Sequence, residues 1–223
     1  MGISGLLPLL EGAAEAAHIS QFRGRRCAID GYAWLHKGVK SCALEMYRRQ
    51  PCTGFVDYCM RLIELLLRNG VTPLMVFDGA RLPAKAGTET ARRSSRNQAA
   101  VAAQELLRAG QRDRAMEKYS QAVDVTPAHA RQLIYALRAR GVHSLVSPYE
   151  ADAQMALLAR RGDVDFVLTE DSDLMAFGCP CVLYKIDHDG NGRLLRRAAL
   201  ATLRFPGDEQ GAPAFTPWQG AHT

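Results

Sequence analysis

The 223 residues carry 28 Lys or Arg against 23 Asp or Glu, a net charge of +5, and 48% are apolar. That balance suits one globular domain with a proper core and excludes a wholly disordered chain. No apolar run reaches membrane-spanning length, no secretory leader stands at the N-terminus, and the six cysteines form no CxxC pair, which sets aside a membrane protein, a disulfide scaffold and a zinc site.

A first helix is expected from Ser4 or Gly5 past Leu10. Cys27-Ala28-Ile29 closes on Asp30 and reads as strand one. Tyr32 to Val39 follows as a helix carrying Tyr32, Trp34 and His36. Phe55 to Asn69 is a clear helix, with Phe55, Tyr58, Cys59, Leu62, Ile63 and Leu66 in one apolar stripe and Gly70 as its stop. Pro73 to Asp78 is strand two.

No strand character appears from Leu82 to Asp124. An Ala-, Gln- and Leu-rich helical pattern runs to Arg108, Gly110 breaks it, and a second helix spans about Asp113 to Val123. An insertion this helical is no ordinary loop. Thr126-Pro127 is a strong helix start, a cap followed by Pro at the first helical position, and that helix ends at Gly141. Strand three is His143 to Val146, a helix follows from Glu150 to Arg161, strand four is Asp165 to Thr169, and strand five is Cys181 to Ile186. Residues 187–192 read as a turn, and the Pro- and Gly-rich stretch 205–223 as a disordered tail.

Residues 81–140 hold twelve Lys or Arg and five Asp or Glu, whereas the remainder holds sixteen against eighteen. A basic middle beside acidic strand ends suits a polyanionic partner. The acids fall in a pattern. Asp30, Asp78, the pair Glu150 and Asp152, and the pair Asp171 and Asp173 each follow an apolar run. In an open α/β sheet, ligands collect beyond the carboxyl ends of the strands. Six like charges on one rim are unfavourable unless a cation sits among them, and hard divalent ions take such oxygens. Helix capping accounts for Asp173 or Glu150, but does not account for Asp30 and Asp78 together. The expected centre holds two metal ions that stabilise the attacking and leaving oxygens of a displacement.

Four motifs carry a family resemblance: residues 1–7 (Met-Gly-Ile-Ser-Gly-Leu-Leu), Val76-Phe77-Asp78-Gly79, residues 148–154 (Pro-Tyr-Glu-Ala-Asp-Ala-Gln) and residues 169–174 (Thr-Glu-Asp-Ser-Asp-Leu). Together they resemble the flap endonuclease superfamily, which includes the xeroderma pigmentosum group G nucleases. Residues 34–38 and 171–179 point toward exonuclease one within it. The resemblance implies a PIN-like α/β fold with a central, mainly parallel sheet flanked by helices. Residues 1–204 would form the nuclease domain, with a helical arch at about 80–125.

It also implies a nuclear, Mg²⁺-dependent 5′-to-3′ double-stranded DNA exonuclease with 5′ flap endonuclease activity, working in mismatch repair and recombination. Two Mg²⁺ ions would be held, with Mn²⁺ able to substitute. Asp30, Asp78, Glu150 and Asp152 match the first ion's side, and Asp171 and Asp173 the second's. Lys85 and Arg92 match arch residues that reach the scissile phosphate. Tyr32 and His36 match positions that stack on or wedge apart terminal nucleotides, while Gly2, Arg93 and Arg96 are further candidate DNA contacts, Arg93 and Arg96 reading equally well as solvated helix charges. The expected partners are DNA with 5′ ends, nicks, gaps or flaps and mismatch-repair proteins, with the chain a monomer and no membrane involved.

Two departures stand against the family pattern. The arch opens with Ala86-Gly87-Thr88 where relatives are more heavily charged, and the resemblance fades after about Arg193. The family continues into another metal-binding Asp and a helix–two-turn–helix element, so a shortened form with impaired or absent turnover is expected. A flap endonuclease proper and a non-catalytic DNA-binding form are the alternatives. A haloacid-dehalogenase phosphatase needs D-x-D after strand one, where this chain has Asp30-Gly31-Tyr32.

Overall fold

The computed structural model describes residues 10–80, 86–170 and 173–202. Its strands are β1 (Glu15–His18), β2 (Arg26–Asp30), β3 (Thr72–Phe77), β4 (His143–Val146), β5 (Phe166–Thr169), β6 (Cys181–Tyr184) and β7 (Asn191–Arg196). Among the described residues they form one seven-stranded sheet in the order β1-β7-β6-β5-β2-β3-β4. At its centre β2, β5 and β6 run parallel, with Cys27 opposite Phe166 and Val167 opposite Val182. β7 lies antiparallel between β6 and β1. The helices are α1 (Gly31–Gly38), α2 (Ala43–Tyr47), α3 (Gly54–Arg68), α4 (Ala86–Arg108), α5 (Arg112–Ala122), α6 (Pro127–Ala139), α7 (Ala151–Arg161) and α8 (Asp173–Ala176). The α/β class with helices about a sheet is the one the sequence predicts. No helix among the described residues is long and apolar enough to cross a membrane.

The described residues divide into two compact units. One holds the chain up to Ile29, Leu65–Leu74 and the part from Ala151 on; the other holds Asp30–Glu64 and Met75–Glu150. In the first unit, β5 is buried along its whole length and β2 buries Cys27, Ala28 and Ile29. This is the near-continuous apolar run expected of a central parallel strand. Phe22 packs on Phe166 with ring centroids 4.3 Å apart. The Arg26 backbone N–H donates to the Asp165 carboxylate at 2.8 Å, and this bond holds its pKa below the ordinary value. It fixes the point where the chain enters β5.

In the second unit, α4 and α5 pack along one another. Ala103 of α4 and Ala115 and Tyr119 of α5 are buried with Val39, Ala43 and Val123 in one cluster, where the Tyr47 and Tyr119 rings lie 4.9 Å apart. Small alanines permit that close approach. The expected break at Gly110 is present, with φ +74°. α6 begins at Pro127 and buries Ala130, Leu133 and Leu137. All six cysteines are free thiols, and burial pushes Cys59 up to about 12.

The sequence reading contains neither β1 nor β7. β1, Glu-Ala-Ala-His, has no alternation and no β-branched residue, and it is a strand because β7 offers it a ladder. β7 is the return arm of a hairpin from β6. The turn between them is tied by Asp187, whose Oδ1 accepts from the Asn191 and Asp189 backbone N–H groups at 2.8 and 2.9 Å. The expected N-terminal helix falls largely outside the described residues, and so does the expected tail at 205–223.

Candidate functional site

In the second unit the main chain carries three of the expected carboxylates to one rim. Asp30 ends β2 and caps α1, its Oδ1 accepting from the Ala33 N–H at 3.0 Å. Capping therefore applies to Asp30; the sequence reading denied it only to Asp30 and Asp78 together. A carboxylate has about four acceptor positions, so one capping bond does not exhaust it. Gly31 follows because the Phe77 ring occupies the space of a side chain: a Cβ there would stand 2.4 Å from a Phe77 ring carbon. The Tyr32 ring meets Phe77 edge-on, with centroids 6.0 Å apart.

Phe77 also leads into Asp78, and here the chain is clamped. The Phe77 carbonyl accepts from the Ser147 N–H at 2.9 Å. The Ser147 hydroxyl lies 2.9 Å from that carbonyl and 2.8 Å from the Tyr149 carbonyl, one proton shared between two acceptors. Gly79 N–H donates to the Tyr149 carbonyl at 2.6 Å, and Ala80 N–H to the Pro148 carbonyl at 2.9 Å. A Cβ on Gly79 would fall 1.8 Å from the Ser147 carbonyl, so only glycine fits. Asp78 and Glu150 are each one residue from a bonded pair, and the backbone holds the two positions side by side. Asp78 is exposed, and Asp30 and Glu150 are half-buried.

The first unit holds two further carboxylates. Asp152 lies in the first turn of α7, and Asp173 opens α8 just after β5. β5 is in register with β2, Leu168 opposite Ile29, so both strands end at the same level. Asp171, Lys85 and Gly2 lie outside the described residues. Among the described residues, no three His, Cys, Asp or Glu side chains stand close enough to hold an ion. The donors are nonetheless all carboxylate oxygens, the chemistry that suits a hard divalent cation.

On helix α4, Arg92 and Arg93 are exposed. Arg96 is mostly buried and pairs with Asp124 at 3.4 Å, a carboxylate where a phosphate contact was expected. His36 of α1 belongs to the same neighbourhood. Crowding of its ring, then the Arg92 guanidinium, and to a smaller extent Arg96 push its pKa below 6.5, while Asp124 opposes them. The imidazole is therefore neutral at pH 7. Sequence reasoning missed both Asp124 and Ser147. A lone serine between an apolar run and Pro-Tyr-Glu, with no charge to mark it, carries only a weak signal for a buried clamp.

Comparison with known proteins adds a family. The XPG N-terminal domain matches residues 1–99, and the XPG I-region matches residues 141–205. Exonuclease 1 of Danio rerio is 42% identical over 208 residues, which is 93% of this chain and 26% of that protein. Exonuclease 1 of Arabidopsis thaliana is 46% identical over 192 residues, 86% of this chain and 26% of that one. Exodeoxyribonuclease 1 of Schizosaccharomyces pombe is 42% identical over 211 residues, 92% of this chain and 37% of that one. The chain thus spans between about a quarter and two fifths of the length of these relatives. Among solved structures, the catalytic core of Rad2 in complex with DNA substrate superposes with a TM-score of 0.66 at 21% identity, over 91% of this chain and 57% of that one. Human GEN1 in complex with Holliday junction DNA gives 0.64 at 16% identity, over 90% and 45%. At those identities the likeness is one of fold.

Proposed function

Because the chain belongs to the XPG nuclease family, we propose that it is a 5′-to-3′ double-stranded DNA exonuclease with 5′ flap endonuclease activity, serving mismatch repair and recombination in the nucleus. The observation that carries this reading is the clamp between residues 77–80 and 147–149, which sets Asp78 beside Glu150 on the rim where β2 delivers Asp30. A hydrolase that works on a phosphodiester needs oxygen donors held in place before the substrate arrives. Main-chain bonds supply that fixity.

Asp30, Asp78, Glu150 and Asp152 would hold one Mg²⁺, and Asp171 and Asp173 a second, with Mn²⁺ able to substitute. Bound, the ions would supply an activated water and offset charge on the phosphate oxygens. The remaining work falls to this chain's side chains. Lys85 and the exposed Arg92 would neutralise charge as the phosphodiester breaks. A neutral His36 keeps an uncharged face for stacking, and Tyr32 offers a second. Arg93, Arg96 and Gly2 would steady the strand. Arg96 must first exchange Asp124 for a phosphate, which makes it a weaker contact than Arg93. The chain would act as a monomer on DNA with 5′ ends, nicks, gaps or flaps, with mismatch-repair proteins as partners.

The test is Mg²⁺-dependent release of label from a 5′-recessed duplex. Asp78→Ala should lower the rate by at least about a hundred-fold, the cost typical of losing a preorganised charge-stabilising group. Duplex affinity measured in EDTA should stay near that of the unaltered chain. Equal rates for the two proteins, or cleavage undiminished by EDTA, would overturn the reading.

A further inference from the structure

Helix α6 carries a face that the nuclease reading leaves unused. Its buried side is Ala130, Leu133 and Leu137. On the opposite side Arg131, Tyr135 and Arg138 are all exposed, Tyr135 to 65%, more than any other large apolar side chain described. At 3.6 residues per turn these positions lie one turn apart along a single stripe, so a guanidinium stands on each side of the phenol ring. The next exposed positions are the uncharged Gln132 and two alanines, Ala128 and Ala139, and the alanines are too small to shade that ring.

An exposed tyrosine alone means little. Two features set this one apart. α6 has no Asp or Glu anywhere in Pro127–Ala139, and neither Arg131 nor Arg138 makes an ion pair among the described residues. By contrast Arg140, just beyond the helix, is held by Glu64. Two unengaged cations flanking an open aromatic face are complementary to a chain of phosphates bearing stackable bases. The stripe is about 10 Å long at 1.5 Å rise per residue, room for two or three nucleotides.

We propose that the Arg131–Tyr135–Arg138 face of α6 is a second binding site for single-stranded nucleic acid, separate from the carboxylate rim. Given the nuclease reading, it holds a single strand of the substrate away from the scissile bond. A base stacks on Tyr135, and the phosphates on either side are bound by Arg131 and Arg138. A protein partner with an acidic segment is the competing occupant.

The experiment uses the whole chain in EDTA, with oligothymidylate containing 5-iodouracil as the probe. Irradiation followed by trypsin should place the crosslink in the peptide 132–138, which cleavage after Arg131 and Arg138 releases. Tyr135→Ala should weaken binding of unsubstituted oligothymidylate about ten-fold, a stacking loss, and Tyr135→Phe should restore it. Arg131→Ala with Arg138→Ala should reduce the slope of log affinity against log salt by about 1.4, two phosphate contacts at ~0.7 each. The inference is overturned if no crosslink maps to 132–138, or if Tyr135→Ala binds like the unaltered chain. It is equally overturned if the α6 variants lose affinity for polyglutamate but keep it for oligothymidylate. Cleavage of a short 5′-recessed duplex, assayed in parallel, separates the two readings. Loss of the α6 effects with cleavage intact sinks only the second site, whereas the α6 effects without any cleavage sink only the nuclease.

Discussion

Gly79 shows how much one missing atom can decide. Its backbone runs so close to Ser147 that a methyl group would require the clamp to open, and overpacking of that kind costs about 1–3 kcal/mol or more. Gly79→Ala should lower the unfolding free energy measured in urea by that order and cut cleavage more than its stability loss accounts for, because Asp78 moves with it. His36 gives a prediction in pH. Its folded pKa lies below the 6.5 of the free side chain, so between the two values the unfolded chain binds more protons. Its contribution to stability is therefore complete above pH 6.5 and falls away as the pH drops through the interval beneath it. His36→Gln should flatten that part of the urea midpoint against pH, and an unchanged slope would refute the assignment. At this scale the sequence marks acids well, since Asp30, Asp78 and Glu150 follow apolar runs that cannot be missed. It marks their fixings badly: Ser147 and Phe77 act through shape and backbone bonds, which leave no pattern of residue types.

Among the elements, α6 was the most legible, because Thr126-Pro127 and Gly141 fix its ends chemically. The structure adds one substitution to the usual capping arrangement. His129 stands where Glu or Gln is customary, and its Nδ1 accepts from the Thr126 backbone N–H at 3.0 Å. Only an unprotonated ring can accept, and burial lowers the His129 pKa accordingly. Thr126→Ala and His129→Ala should each cost roughly 1 kcal/mol in chemical denaturation, and together less than the sum, since they share one cap. The elements that escaped notice are those whose reason lies elsewhere in the chain. β1 is a strand because β7 is beside it, and β7 because the Asp187 turn folds it back on β6. A turn with two glycines between apolar runs was visible, and the hairpin it implies could have been read from it.

For the whole molecule, the charge is arranged rather than merely positive: residues 81–140 have an excess of seven basic groups, and that interval holds α4, α5 and α6. Local composition made this legible. The division into two units was not, because contacts distant in sequence define it. Neither unit is a contiguous stretch: the polypeptide enters the second at Asp30, leaves it after Glu64, returns at Met75 and leaves again after Glu150. Three of those passages fall within elements, one inside β2, one inside α3 and one inside β3. Melting either unit would pull apart a helix and two strands that the other also needs. With Trp218→Phe, which leaves Trp34 of the second unit as the one tryptophan, fluorescence and far-ultraviolet dichroism should therefore report the same urea midpoint, and two separated transitions would contradict this. For the engineer the lesson is topological: no single cut in the gene yields half of this protein, and any attempt to express one lobe by itself must first decide how to rejoin severed ends.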